Sequence, residues 1–268
     1  MGTMVGLLNG ASLALMCSIG HRTGLFDTMT RLDPATSTRI AEAAGLDERY
    51  VREWLAAMTS GGIIDYDPDD GTFVLPLEHQ TLVTRAGGPL NIANNLQFVA
   101  LMGGVEDDVV EAFRTGAGVP YSRYPAFQDL MAEGSATRFD AALLDVMIPT
   151  LPGALEALSA GADLADVGCG NGHALRLLAA AFPKGRFTGF DVSADAVAEG
   201  NRAAAAAGLS NLTFVEKDAA RIEAREAFDL ITTFDAIHDQ AFPERVLENI
   251  HRALRPGGRY LCVEPKAA

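Results

Sequence analysis

Cysteine is scarce in this chain. Cys17, Cys169 and Cys262 are odd in number and far apart, so neither a disulfide framework nor a zinc-binding spacing can be assembled from them, which fits a reducing cytosol. Positive charge is short as well: 21 Lys and Arg stand against 35 Asp and Glu, a formal net charge of −14. Such a surface repels phosphate backbones and anionic bilayers, so neither nucleic acid nor a membrane is expected as a partner. Long apolar runs are also lacking. Val5–Ile19 comes nearest, but Asn9, Ser12 and Ser18 interrupt it. It falls short of the ~20 apolar residues of a spanning helix, and no basic segment precedes it as a signal peptide would require. It reads as a buried helix at a domain or dimer interface. There is no internal repeat and no low-complexity tract. His21, His79, His173 and His251 are scattered, and no metal site is expected. A calcium-like run starts at Asp65, but its sixth position is Asp70 instead of glycine and its twelfth is Pro76, which defeats the match.

What is present falls into three parts. Residues 1–85 predict an apolar helix near 4–17, a second segment over 20–30, a short helix over 36–44 stopped by Gly45, and a longer helix capped by Asp47. In that last helix Tyr50, Val51, Trp54, Leu55 and Met58 recur at helical spacing. Two short strands, 63–66 and 72–75, flank a turn at 67–71. The outline is a winged-helix-like α+β domain. Residues 86–157 read as a helical connector and substrate lid, with Tyr121, Tyr124 and Phe127 as an aromatic cluster and prolines at 120, 125, 149 and 152. From residue 158 strands alternate with helices, predicting a parallel, doubly wound sheet with strands at 163–167, 186–190, 212–216, 228–234 and 259–264.

The first of those strands runs into Asp166-Val167-Gly168-Cys169-Gly170-Asn171-Gly172. Glycines here permit a tight turn and a close approach of ligand to backbone. The spacing is G-x-G-x-G, with an acidic residue two before the first glycine, and not the G-x-G-x-x-G of dinucleotide sites. Asp191 ends the second strand, 21 residues after Gly170, where a carboxylate can take both ribose hydroxyls or cap the next helix. Asp218 follows the third strand, placed either for an adenine amino group or simply in solvent. The fourth strand ends at Phe234 and leads to His238-Asp239; Leu254-Arg255-Pro256-Gly257-Gly258 reads as a turn into the fifth.

Taken in order, D-V-G-C-G-N-G, G-F-D, K-D-A, F-D and L-R-P-G-G over about 162–265 resemble the class I S-adenosylmethionine-dependent methyltransferases. The resemblance implies a Rossmann-like domain in which Asp166, Gly168, Gly170 and Gly172 surround the methionine portion of S-adenosylmethionine. Asp191 and Val192 would hold the ribose, Asp218 and Ala219 the adenine, and the backbone at Phe234 would face the methionine amino group. The stretch from Ile237 to Gly258 also resembles small-molecule O-methyltransferases. In those a His-Asp pair supplies the catalytic base, here His238, and a glutamate after the fifth strand orients it, here Glu264. Two departures stand out: Gln240 replaces their usual aromatic residue, and Phe234 stands where plant members place a lysine. A structural or cofactor-contacting role for His238 therefore stays open beside the base.

A winged helix invites a DNA-binding reading. Yet residues 1–85 carry eleven acidic side chains against six basic, a net of −5, the reverse of what phosphate contacts need. The resembling enzymes use this region to dimerise around the active site, so a homodimer through the N-terminal domain is expected. Class I members normally add two strands after the fifth; here Ala268 follows it directly. This predicts a C-terminally truncated sheet with strands six and seven absent, an open edge, weakened cofactor affinity and low turnover. The chain is thus read as a cytoplasmic methyltransferase for a hydroxyl of a small apolar or aromatic acceptor. An S-adenosylmethionine-binding regulator or interaction protein, and an N- or C-methyltransferase, are the alternatives.

Overall fold

The computed structural model describes residues 1–124 and 126–266, the side chains of Tyr121 and Gln128 excepted. The chain divides into two compact units, residues 1–134 and 135–268; the segment 86–157, read from sequence as a connector, falls in both.

In the N-terminal unit the first helix is Gly2–Thr23, ended by Gly24 in the left-handed conformation at φ 72°. It runs past the expected end at 17, because its buried residues only begin there, with Cys17, Ser18, Gly20 and His21. The sequence reading of a buried helix therefore holds for the C-terminal half alone: residues 2–12 are exposed, among them Met4, Val5, Leu7 and Leu8. An almost uniformly apolar helix offers no amphipathic stripe by which sequence could tell the two halves apart. This 22-residue helix is long and apolar enough to cross a membrane.

Helices Leu25–Met29, Ser37–Ala44 and Glu48–Ser60 follow, the last two capped by the side chains of Thr36 and Asp47. The strands β1 (Asp65–Asp67) and β2 (Thr72–Val74) pair antiparallel, and a bridge from Ala35 to Phe73 adds the third member. This is a winged helix. The apolar face of Glu48–Ser60 is consumed inside it: Val51, Trp54, Leu55 and Met58 are buried with Phe26 and Ile40. Trp54 meets Phe26 edge-on at 5.1 Å, and its Nε1 donates to the Met16 carbonyl at 2.8 Å. Beside this core lies a polar knot around the buried His21, with its charged partners at the surface. His21 Nε2 sits 3.1 Å from Glu133 Oε1, and Arg85 binds Asp27 at 2.8 Å and Glu133 at 3.2 Å. Burial and the Arg85 charge hold the His21 imidazole below its usual value, against the opposing pull of Glu133 and Asp27. Of the aromatic cluster, Tyr124 and Phe127 lie 6.1 Å apart; the Tyr121 side chain and residue 125 lie outside the described residues.

The C-terminal unit carries a parallel sheet of five strands among the described residues: β3 (Asp163–Val167), β4 (Arg186–Asp191), β5 (Leu212–Glu216), β6 (Phe228–Phe234) and β7 (Leu254–Val263). Their order is β5-β4-β3-β6-β7. Side chains alternate across a strand, and the two faces feed two cores. Leu164 and Leu230 enter one with helix His173–Ala181 through Ala174, Leu175, Leu178 and Ala179; Ala165, Val167 and Ile231 enter the other with helix Pro243–Ala253 through Val246, Ile250 and Ala253. At the amino ends of the strands Asp163 takes Arg255 at 2.8 Å and Arg186 at 2.5 Å, while Asp229 takes Arg255 at 2.6 Å. One expectation fails. Leu254–Gly258 is not a turn ahead of the fifth strand but its first half. Leu254 already pairs with Phe228, and an irregularity falls between Phe228 and Leu230, where Gly257 takes φ 80°. A proline and a positive-φ glycine are tolerated there because β7 lies at the edge of the sheet.

The chain enters the sheet at β3, works outward to β5, then crosses back to place β6 on the other side of β3. That reversal opens a crevice at the carboxyl ends of β3 and β6, the usual ligand position in an open α/β sheet.

Candidate active site

β3 delivers Gly168–Gly172 to that crevice. Gly168, Gly170 and Gly172 all have positive φ, at 76°, 55° and 73°, a conformation most L-residues avoid. Their surroundings differ. A Cβ on Gly168 would fall 2.6 Å from the Cβ of Ala236, and one on Gly172 would fall 1.9 Å from the Phe214 ring, whereas nothing lies within 4 Å of one on Gly170. The outer two glycines are demanded by packing. Open space lies only over the middle one of the three, so that is where a ligand can approach the backbone.

Asp166 is buried on β3, directly opposite Thr232 of β6, and accepts the Thr232 hydroxyl at 2.7 Å. Burial pushes its carboxyl up to about 7; the Thr232 hydrogen bond opposes this and the Asp191 charge adds to it. Unfolded, the group ionises near 3.8. The folded chain thus keeps a proton that the unfolded chain has released, and this group's contribution to stability falls as pH rises from about 4 to about 7. The variant Asp166→Asn keeps an acceptor for Thr232 and carries no charge. It is expected to melt above the wild type at about pH 8, with the gap closing towards about pH 4. Thermal unfolding at both pH values checks this, and a pH-independent gap would contradict the burial of an ionisable carboxyl.

Asp191, at the end of β4, folds back on the loop. Its Oδ2 accepts Gly170 N–H at 2.7 Å and its Oδ1 accepts Ser193 N–H at 2.9 Å. It therefore ties the glycine loop to the start of helix Ala194–Ala206 and remains half-buried, with lone pairs left for hydroxyl donors. Val192 beside it is exposed. Asp218 caps a single helical turn by accepting Ala220 N–H at 2.8 Å and lies 3.4 Å from Arg221. Ala219 is buried, and its carbonyl takes Asn249 Nδ2 at 3.0 Å.

Beyond Phe234 the chain makes a turn held on several sides. Asp235 has φ 52° and donates its N–H to the Val263 carbonyl at 2.8 Å. Glu264 Oε1 accepts the N–H groups of Ala236 at 3.2 Å and Ile237 at 2.8 Å, and its Oε2 is hydrogen-bonded to His238 Nδ1. Gln240, which replaces an aromatic residue, closes the turn by donating to the Ala236 carbonyl at 2.9 Å. His238 is exposed. Its hydrogen bond to Glu264 raises the imidazole above its usual value, aided by the charges of Asp239, Glu264 and Asp235. Burial pushes the Glu264 carboxyl up, but the bonds from His238 and the two backbone N–H groups outweigh it and the net shift is downward.

The structure thus brings His238 and Glu264 into contact, and places Ala236, two residues before His238, against the first loop glycine. Sequence reasoning passed over Thr232, Asp235, Arg138 and Asp140. Arg138 binds Asp235 at 2.6 Å, and Asp140 binds His173 at 2.7 Å. Asp235 carried a signal, since it follows a strand directly on the crevice side. The other three act across the fold, and no spacing in the sequence reports them.

Comparison with known proteins fits this geometry. Residues 158–268 match the model of a methyltransferase domain, and residues 11–85 match that of the Rv2258c-like winged HTH domain. The ubiquinone/menaquinone biosynthesis C-methyltransferase UbiE of Brucella anthropi is 28% identical over 145 residues, covering 53% of this chain and 53% of that protein. Demethylmenaquinone methyltransferase from Symbiobacterium thermophilum is 35% identical over 108 residues, covering 39% and 43%. The chain spans about half the length of the curated relatives it matches. Among solved structures, the mitomycin 7-O-methyltransferase MmcR is similar over 100% of this chain and 81% of its own, with a TM-score of 0.69 and 21% identity. PigF with SAH is similar over 98% and 80%, with a TM-score of 0.70 and 20% identity. At that level of identity the likeness shows a shared fold.

Proposed function

Since residues 158–268 are a methyltransferase domain set behind a winged HTH domain at residues 11–85, we propose that the chain is an S-adenosylmethionine-dependent methyltransferase acting on a hydroxyl of a small apolar or aromatic acceptor. The observation that carries this reading is the His238–Glu264 pair at the carboxyl end of β6, on a turn that rests against the glycine loop. The loop fits the cofactor: a positive-φ glycine with open space above it, and beside it a half-buried carboxylate fixed by backbone N–H groups. Gly170 would face the methionine portion, with Gly168 and Gly172 shaping the loop and the buried Asp166 lying beneath it. Asp191 and Val192 would hold the ribose, Asp218 and Ala219 the adenine, and the backbone at Phe234 the amino group. Bound there, S-adenosylmethionine supplies a methyl group on an electrophilic sulfonium. The protein's own work is to align the acceptor oxygen and to take its proton. With Nδ1 engaged by Glu264, His238 keeps Nε2 for that proton.

A base in this place also serves an acidic carbon, and the C-methyltransferase relatives support that as the second reading. Product analysis by carbon NMR separates the two. For the N-terminal unit we favour homodimerisation over DNA binding: the exposed apolar half of Gly2–Thr23 offers a surface for a second copy, the face of Glu48–Ser60 with Trp54 is already packed, and the net charge of −14 opposes phosphate. A cytoplasmic location agrees with the three free cysteines.

Calorimetric titration tests the reading. S-adenosylmethionine is expected to bind the wild-type chain, a mixed-sequence DNA duplex is not, and Asp191→Ala is expected to weaken the cofactor by about tenfold or more, because two loop tethers and the ribose acceptor go together. A wild-type chain with no affinity for S-adenosylmethionine would end the proposal; binding of DNA would favour the regulator.

A further inference from the structure

Three consecutive residues near the end of helix Phe127–Ala142 reach two parts of the candidate site, the end of β6 and the start of the helix behind the glycine loop. Arg138 Nη2 binds Asp235 Oδ2 at 2.6 Å. Phe139 meets Phe234 edge-on with ring centres 4.9 Å apart. Asp140 binds His173 Nε2 at 2.7 Å, and His173 is the first residue of the helix that follows the glycine loop. Successive helix residues point about 100° apart, so three such contacts in a row mean that this end of the helix is nested between the loop and the end of β6.

Asp235 is the residue on which the base turn pivots. It holds a positive φ of 52°, a strained choice for a side-chain-bearing residue, though less so for aspartate than for most. Such a conformation persists only where the surroundings over-determine it. Two tethers do so: its N–H on the Val263 carbonyl at 2.8 Å and its carboxylate on Arg138. Glu264 fixes the turn at Ala236, Ile237 and His238, but it makes no bond to the Asp235 side chain among the described residues.

We propose that Arg138 is a positioning residue for the candidate base, holding Asp235 so that the turn aims His238 at the crevice and tying that aim to the helix that also grips the glycine loop. The proposal rests on the reading of His238 as the base. Arg138 touches neither reacting atom and acts through Asp235. It also compensates the Asp235 carboxylate, one of three acidic groups that face His238, with Asp239 on the same turn and Glu264 beyond β7.

The NMR part of the test needs no acceptor. In the full chain saturated with S-adenosylhomocysteine, His238 is titrated by NMR and amide exchange is followed at Ala236 and Ile237. Arg138→Met is expected to raise the His238 pKa by about half a unit, since Asp235 loses its counter-charge, and to speed exchange at the two amides by about tenfold. Arg138→Lys should return the pKa towards the wild-type value. Arg138→Met combined with Asp235→Asn should return the pKa while leaving exchange fast, which a purely electrostatic role would not do. Unchanged titration and unchanged exchange in a folded Arg138→Met chain would overturn the proposal. If His238 is not the base, its alanine variant keeps full transfer while these NMR responses still appear, so the two failures are told apart.

Discussion

Replacing His238 by alanine is expected to slow methyl transfer by about 10²–10⁴-fold, the usual worth of a positioned base, with cofactor affinity held within about twofold because the side chain has no place in the cofactor loop. The geometry behind this is the division of the two ring nitrogens. Nδ1 is engaged by Glu264, and a donor bond there leaves the lone pair on Nε2. The nearest acidic atom to Nε2 is Asp239 Oδ1 at 3.5 Å, too far to occupy it well. The hydrogen bond that His238 donates to Glu264 raises the imidazole above its reference value of 6.5. A base is lost on protonation, so the acidic limb of the pH–rate profile should lie above that value, and rate should fall as pH drops through it. Glu264→Gln removes the charge that favours the imidazolium. It is expected to move the limb to lower pH while also lowering the plateau, since the neutral amide holds the ring and the turn less firmly. Transfer of labelled methyl to a panel of phenols and catechols across pH measures both. Full transfer by the alanine variant, or a limb that ignores Glu264→Gln, would remove His238 from the reaction.

Gly172→Ala is expected to destabilise the C-terminal unit by about 2–5 kcal/mol, combining a left-handed backbone with an overpacked core. The new methyl would lie 1.9 Å from Cε1 and 2.1 Å from Cζ of Phe214. Phe214 is 4% exposed and lies in one core with Leu175, Val197 and Ala204, which limits its retreat. It also occupies the space that Cβ atoms on Gly189 and Gly200 would take, at 2.5 Å and 3.0 Å. Gly170→Ala is the control. It has the same sign of φ but no atom within 4 Å, so it should lose only about 1 kcal/mol of stability, and its effect should fall on cofactor affinity. Chemical denaturation of both variants decides: equal losses would refute the packing account, and Phe214→Leu should recover part of the loss in Gly172→Ala alone.

The central strands were readable to within a residue because short stretches rich in apolar and β-branched residues stand between turn signals at 163–167 and 228–234, even with Asp163, Asp166 and Asp229 among them. The glycine loop was readable because its backbone demands glycine. The start of β7 was not: Pro256-Gly257-Gly258 has the composition of a turn, and only its pairing with β6 makes it strand. The first helix was misjudged because apolar content reports that a surface avoids water and not what covers it. At the site, the His-Asp dipeptide and the glutamate were legible as residue types. The buried state of Asp166 depends on Thr232, 66 positions away, and the hold on Asp235 depends on Arg138, almost a hundred positions earlier. Contacts of that range leave no periodicity in a single sequence.

The hydrogen-bond partner of His238 hangs from the end of β7, a strand with a neighbour on one side only among the described residues. Edge strands open at lower free energy than central ones. Release of Val263 from the sheet would free the Asp235 tether and displace Glu264 with it, so the aim of the imidazole is coupled to the order of that strand end. Whatever orders that edge, whether cooling from near the melting temperature, an osmolyte or a chain laid along it, is expected to narrow the spread of His238 orientations without touching the crevice itself.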